Sequence, residues 1–296
     1  MSALGKDKGA SRRFMVHLFL ICFTGFTLLP VALVLRQAVT PGKGLALSLD
    51  ANPQTDQTLE ILPERMTLDN FRAVLGRTTS DGVWLFGRQL LNSVVVSVAT
   101  TILGVFLACT AAYAFSRFRF PGRSFGMLTF LVVQMFPATL LLIPMYVILS
   151  RLGLLNSMIG LAFVYSMTGI PFCVWMLKGY FDTIPRELEE AALIDGASRI
   201  KIFYIIILPL ARPAIAVTAL FSFMTAWNEY ILAATFLNKE TAYTLPVMLK
   251  SFVGQYNADW GSFAAGAIIV SIPVVALFYV LQRNLVAGLT AGSVKG

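Results

Sequence analysis

Charge is scarce in this sequence. Asp, Glu, Lys and Arg together supply 13% of its 296 residues, and histidine occurs once. Ordinary soluble domains carry about 25% charged residues, so a water-covered surface is excluded for most of the chain. Cysteine is nearly absent as well: Cys22, Cys109 and Cys173 are an odd number without metal-like spacing. They support no disulfide framework and read as small apolar packing residues. The lone His17 has no second ligand or proton-relay partner near it and reads as an interfacial side chain. Also missing are a G-x-x-x-x-G-K-[ST] phosphate loop, an H-E-x-x-H helix and a C-x-x-C pair, the one Gly-Lys-Gly being Gly42-Lys43-Gly44. No intramembrane chain of acids and histidines stands ready to carry protons. We therefore assign no catalytic residue, no metal ligand and no cofactor, and any uphill work must draw its energy from elsewhere.

What fills the sequence is hydrocarbon. Apolar residues make up 57% and the mean hydropathy is +0.76, which predicts an all-α integral membrane protein. Apolar runs near or above the roughly 20 residues needed to cross a bilayer lie near Phe14–Leu35, Leu90–Phe115, Phe125–Leu149, Ser157–Leu177, Phe203–Phe236 and Ser262–Leu281. Six transmembrane helices are expected. The net charge of +8 sits where the positive-inside rule wants it. Lys6, Lys8, Arg12 and Arg13 precede the first run, and Arg117, Arg119 and Arg123 fill an acid-free loop after the second. Both termini are thus expected in the cytoplasm. A basic start before an apolar run also suits a signal peptide, but this run is too long and lacks a small-x-small cleavage site.

These signals divide the chain into a cytoplasmic tail (1–13), a first span (14–35), an extracytoplasmic segment (36–89), a five-span core (90–282) and a C-terminal cytoplasmic tail (283–296). The segment 36–89 mixes charges of both signs and carries a short helix over Leu68–Leu75 capped by Thr67. Pro137, Pro144, Pro171, Pro209, Pro213 and Pro273 fall in the last four spans, where each frees a backbone carbonyl. Gly261, Ala264, Ala265, Gly266 and Ala267 allow close helix approach at the start of the sixth. Glu229 is the exceptional charge within a span, in Trp227-Asn228-Glu229-Tyr230. That company suits a pathway for a hydroxyl-rich solute and an interfacial belt alike. Gly254-Gln255-Tyr256-Asn257 favours a turn in an outer loop.

One polar stretch between spans four and five, residues 185–197, reads as a folded element, a short helix followed by a hinge. Glu187, Glu189 and Glu190 follow Pro185 and suit the positive end of a helix. Leu188, Ala191 and Ala192 form a narrow apolar face, Gly196 ends the helix, and Ser198 caps a new one. Glu190-Ala191-Ala192, then Gly196, then Ile206-x-Leu208-Pro209 resembles, position by position, the EAA signature of ABC importer membrane subunits. With Tyr113-Ala114-Phe115-Ser116-Arg117, Gln134-Met135-Phe136-Pro137 and the ending Gly288–Gly296, the chain is similar to six-span carbohydrate permeases of the maltose/maltodextrin (MalG) type. The resemblance covers nearly the whole chain.

That resemblance implies a non-enzymatic permease subunit in a bacterial cytoplasmic (inner) membrane. Its expected partners are a second, MalF-like membrane subunit, two MalK-like ATPase subunits and an extracytoplasmic sugar-binding protein. It assigns ATPase coupling to Glu190, Ala191, Ala192, Gly196, Leu208 and Pro209. ATPase contact falls to the tail Gly292, Ser293, Val294, Lys295 and Gly296, and binding-protein contact to Gly254, Gln255, Tyr256 and Asn257. Trp227-Asn228-Glu229-Tyr230 is closer to the wider sugar-permease family than to maltose permeases, which leaves another sugar open as substrate. Two other classes compete. An ion-driven carrier would show paired halves or an intramembrane ion site, and a membrane enzyme a nucleophile, base or metal set. Neither is found.

Overall fold

The computed structural model describes residues 7–42, 65–254 and 258–293. Among these residues the ordered elements are helices: α1 (Asp7–Val39), α2 (Asp69–Leu75), α3 (Leu85–Arg117), α4 (Arg123–Met135), α5 (Leu142–Arg151), α6 (Met158–Phe181), α7 (Glu187–Ile194), α8 (Arg199–Ile202), α9 (Leu208–Leu210), α10 (Arg212–Asn228), α11 (Ile231–Phe236), α12 (Leu245–Ser251) and α13 (Trp260–Ser293). Four of them are long and apolar enough to cross a membrane, and the number reaches six if each of two sharply bent pairs is one span. The chain forms two compact units, residues 1–77 with 249–270, and residues 78–248 with 271–296.

In the first unit α2 hangs from the end of α1. The Asn70 amide donates to the carbonyls of Ala38 and Thr40, both at 2.9 Å, and the Thr67 N–H donates to Val39 O at 2.8 Å. The Thr67 hydroxyl accepts the Asp69 N–H at 3.1 Å, so the short helix expected over Leu68–Leu75 begins one residue later. Arg77 lies over the Phe252 ring, 5.0 Å from its centroid, and donates to Ser251 Oγ. Gly261 sits so close to Asn70 that an added Cβ would fall 2.7 Å from its amide atoms. Among the described residues, none covers the most apolar stretch of α1.

The second unit is built on α3, α6 and α10, which pack against one another. Ser93, Ser97, Thr100, Gly104, Ala108, Ala112 and Ser116 are buried along one side of α3 at steps of three and four. Such small residues let backbones approach closely where lipid gives no hydrophobic drive for helix association. At Gly104 an added Cβ would meet Ser222 Oγ of α10 at 3.6 Å. The first turns of α3 also clip the segment before α12. Gln89 donates to Glu240 O, Asn92 to Thr241 O and Tyr243 O, and Ser93 Oγ accepts the Leu245 N–H.

Two expected spans are not single helices. The run Phe125–Leu149 breaks between α4 and the chain from Thr139 to Arg151, with a bend of 91°. The run Phe203–Phe236 bends by 78° between its α9 and α10 parts, and helix α10 ends at Asn228. Proline position explains which helices break. Pro171 and Pro273 lie inside α6 and α13 without ending them. Pro137 instead stands in extended backbone before a 3₁₀ turn, and Pro213 opens α10. Pro209 offers no N–H to the carbonyl of Ile205, and a wide π-type turn over Phe203–Ile207 directly precedes its helix. We predict that Gly104→Ala is tolerated and Gly104→Leu is not. Forcing that branched chain against Ser222 should cost about 1–3 kcal/mol, measured as a lowered midpoint of thermal unfolding in detergent.

Candidate functional site

The polar stretch between α6 and α8 folds as its sequence dictates. Glu187, Glu189 and Glu190 occupy the first turn of α7, where carboxylates meet the positive end of the helix dipole. Gly196 ends it with φ +81°. Its N–H reaches Leu193 O at 3.0 Å and the next N–H, of Ala197, reaches Ala192 O at 2.9 Å. That bond pair is a Schellman turn, and only glycine adopts its left-handed backbone without penalty. Ser198 then caps α8 by accepting the Lys201 N–H at 3.3 Å. Within the expected 185–197 the helix itself is shorter, running from Glu187 to Ile194, while the glycine stop and the capped second helix stand where the spacing predicts them.

The two faces of α7 differ in kind. Outward lie Leu188, Glu190, Ala191, Leu193 and Ile194, with Ile194 87% exposed. Inward lie Ala192, which packs against the hydrophobic cluster of Tyr113, Leu177, Phe181 and Phe203, and Glu189, only 8% exposed. The apolar face read from Leu188, Ala191 and Ala192 is therefore divided, because Glu189 takes the inward position beside Ala192. Glu189 accepts hydrogen bonds from Tyr113 Oη at 3.1 Å and from Arg117 Nε, both at the end of α3. The two charged side chains are 4% and 10% exposed.

Around this pair every nearby polar group is engaged. Arg117 Nη2 donates to Ile184 O at 2.9 Å, and Arg186 Nη2 donates to Ser116 O at 3.2 Å. Ser116 Oγ donates to Asp182 Oδ1 at 2.6 Å, and Lys178 holds the other oxygen of that carboxylate. Partial burial acts to raise the Asp182 pKa, but the hydrogen bonds from Lys178 and Ser116 and the charges of Lys178 and Arg117 outweigh it and hold it below 3.8. The carboxylate thus stabilises this junction at neutral pH and loses that contribution only as pH falls through its lowered value. Arg199 of α8 lies over the Phe118 ring, 5.4 Å from its centroid. Tyr113, Ser116 and Arg117 share one face of α3 at i, i+3 and i+4. That polar face at the end of an apolar run was the available signal for a surface that receives α7; in the sequence Tyr113 to Arg117 stood only as part of the family likeness and Glu189 only as a helix-start acid.

The remaining candidates scatter. Leu208 and Pro209 are half-buried in the bent part of the bundle, Leu208 against the same hydrophobic cluster. Trp227 is buried and stacks on Phe223, while Asn228 and Tyr230 are exposed. Glu229 lies not within a helix but at the break between α10 and α11. Its carboxylate accepts the N–H groups of Leu232 and Ala233, at 2.9 and 3.1 Å, and the Tyr165 hydroxyl at 2.8 Å. The crevice beside it, lined by Thr100, Tyr165, Thr168, Ser222 and Thr225, has a volume of about 20 Å³. That holds one water and no sugar ring. Gly254 precedes Gln255, Tyr256 and Asn257, which lie outside the described residues, as do Val294, Lys295 and Gly296. Gly292 and Ser293 close α13. Gly122-Arg123-Ser124-Phe125-Gly126 has the spacing of a hydrolase nucleophile elbow. It starts α4 after a turn rather than a strand, and the single histidine, His17, belongs to α1, so it is no such elbow.

Residues 100–291 match the family described as "Binding-protein-dependent transport system inner membrane component". The maltodextrin transport system permease protein MdxG of Bacillus subtilis is 35% identical over 285 residues, covering 96% of each chain. The maltose/maltodextrin permease MalG of Escherichia coli is 36% identical over 304 residues, covering 97% of each. The inner membrane ABC transporter permease YcjP of Escherichia coli is 34% identical, covering 99% of this chain and 100% of that one. A chain of a bacterial ABC transporter that imports the acidic polysaccharide alginate shares the fold, with a TM-score of 0.75 at 22% identity over 95% of this chain and 99% of that one. The chain belongs to the family of binding-protein-dependent transport system inner membrane components.

Proposed function

We propose that this chain is the permease subunit of an ATP-binding-cassette importer that carries maltose, maltodextrin or a related oligosaccharide across the cytoplasmic membrane. In this reading it has six spans with both termini inside, counting each bent pair as one crossing, and performs no chemistry itself. The observation that carries the reading is α7: a helix anchored by one buried carboxylate that presents Leu188, Glu190, Ala191 and Ile194 outward. Small and apolar groups permit close approach of a partner, and Glu190 offers it a charge. An ATPase subunit is the partner that supplies what this chain lacks.

A second membrane subunit would account for α1, whose apolar stretch finds no cover among the described residues. A sugar-loaded binding protein would meet the turn from Gly254 to Asn257, and the tail from Gly292 to Gly296 would reach the ATPase pair. The solved alginate importer in complex with its oligosaccharide-bound periplasmic protein, which shares the fold at a TM-score of 0.64 over 93% of this chain, is consistent with that assembly. The sugar-named relatives favour a maltodextrin, and the alginate importer keeps another binding-protein-delivered sugar as the second reading.

In proteoliposomes holding the full complex, Ile194→Asp and Glu190→Ala should leave assembly intact and lower sugar-stimulated ATP hydrolysis about tenfold, within the usual range of coupling between sites. Gly196→Val forces a branched residue to φ +81°, at about 1–2 kcal/mol of strain, and should do the same. Normal stimulation in all three would exclude α7 as the coupling element. Replacing Gly254 to Asn257 with serines should slow release of sugar from the binding protein, and uptake unchanged across sugar concentrations would refute that contact. Competition of labelled maltose against other disaccharides tests the substrate.

A further inference from the structure

We propose that Arg117, Tyr113 and Glu189 form the mechanical link through which movement of α7 enters the membrane bundle, so that α3 is the helix that receives it. The proposal rests on the coupling role given to α7 above and names the residues that transmit it. Three routes connect α7 to the rest of the second unit. One is the chain itself, back through residues 182–186 to α6. Another runs forward across the Gly196 turn to α8. The third is lateral, from Glu189 to the end of α3.

The lateral route is the stiffest. Eight residues are too few for a helix to hold together without tertiary contacts, and α7 has little apolar glue: Ala192 packs inward, while Leu188, Leu193 and Ile194 do not. The covalent routes pass through a turn at residues 182–183 and through a glycine with open space around it. Glu189, by contrast, is buried against two donors on successive turns of α3. A buried charge cannot leave its partner without facing an uncompensated desolvation cost. Displacing α7 therefore drags α3 with it.

Arg117 suits this task better than a point charge would. Its Nε holds Glu189, its Nη2 holds Ile184 O and its Nη1 reaches Ser116 Oγ at 3.3 Å. One planar fork thus ties the end of α3 to α7 and to the linker from α6 at fixed angles, which lysine cannot do. Tyr113 extends the link. Its ring lies 4.8 Å from that of Phe203, the first residue of the π-type turn leading to the α9–α10 bend. The same tyrosine thereby touches both the docking helix and the start of the broken span.

The experiment compares Glu189→Gln, Arg117→Lys and the charge-inverted double Arg117→Glu/Glu189→Arg in the complete complex. Readouts are membrane level, recovery of partner chains, ATP affinity, and labelled sugar moved per ATP hydrolysed, using a sugar that the unmodified complex takes up. The single variants should assemble, bind ATP normally and move about tenfold less sugar per ATP, and the double variant should recover part of that ratio. Tyr113→Phe, which keeps the ring and loses one bond, should fall between. An unchanged ratio in assembled single variants overturns the proposal. So does loss of assembly in all variants including Tyr113→Phe, because the residues would then serve folding alone. If Ile194→Asp uncouples the complex and Glu189→Gln does not, the docking role of α7 stands and the lateral link fails. If Glu189→Gln, Ile194→Asp, Glu190→Ala and Gly196→Val all leave the complex coupled, the docking role itself falls.

Discussion

The ion pair between Arg117 and Glu189 is the contact on which the arrangement of this end of the molecule depends. It is almost wholly removed from water, and removing one partner from such a pair typically costs about 3–5 kcal/mol because the other charge is stranded. The pair would be poor value as simple glue, since apolar side chains of the same volume often stabilise as well. What it adds is direction. A guanidinium fork held by a carboxylate and two further oxygens fixes position and angle, whereas an apolar patch would let α7 slide.

A second consequence is the division of α7 into two faces with different duties. The inward face is committed to α3 through Glu189 and to the hydrophobic cluster through Ala192. That commitment frees the outward face to carry exposed apolar groups, which a helix so short could otherwise use only to fold itself. Exposed leucine or isoleucine taken singly is ordinary. Leu188, Leu193 and Ile194 are all exposed on a helix whose anchoring comes from Glu189 and Ala192, and in the proposed reading it is the side carrying Glu190, Ala191 and Ile194 that a partner would cover.

The same economy of charge governs the opposite region of the second unit. Glu229 places its carboxylate on two backbone N–H groups and a tyrosine hydroxyl at the break between α10 and α11. A helix interrupted in an apolar environment leaves N–H groups that must find acceptors, and Glu229 supplies them. Its role in this conformation is to make the interruption tolerable. The buried Glu189 and the half-buried Glu229 thus both hold helix ends to neighbouring helices, and each has a tyrosine among its donors.

Local features were legible in the sequence because their causes are local. Apolar run length gave the membrane class, and the acids after Pro185, the glycine at 196 and the serine at 198 gave the boundaries of α7 and α8, since caps and turns depend on residues within a few positions. The EAA spacing led to the family on the same grounds. Which prolines break a helix was not legible, because Pro171 and Pro137 read alike in isolation and differ only in what their neighbours support. Nor could sequence say which of the adjacent acids Glu189 and Glu190 turns inward. A step of one residue rotates a side chain about 100° around the helix, and only the position of α3, reached through contacts about 70 residues distant in the chain, decides which of the two finds Arg117. The sequence by itself determined the membrane class, the helix ends and the family. Tertiary packing alone decided which carboxylate is buried as an anchor and which stays exposed, because burial and pairing are properties of neighbours in space.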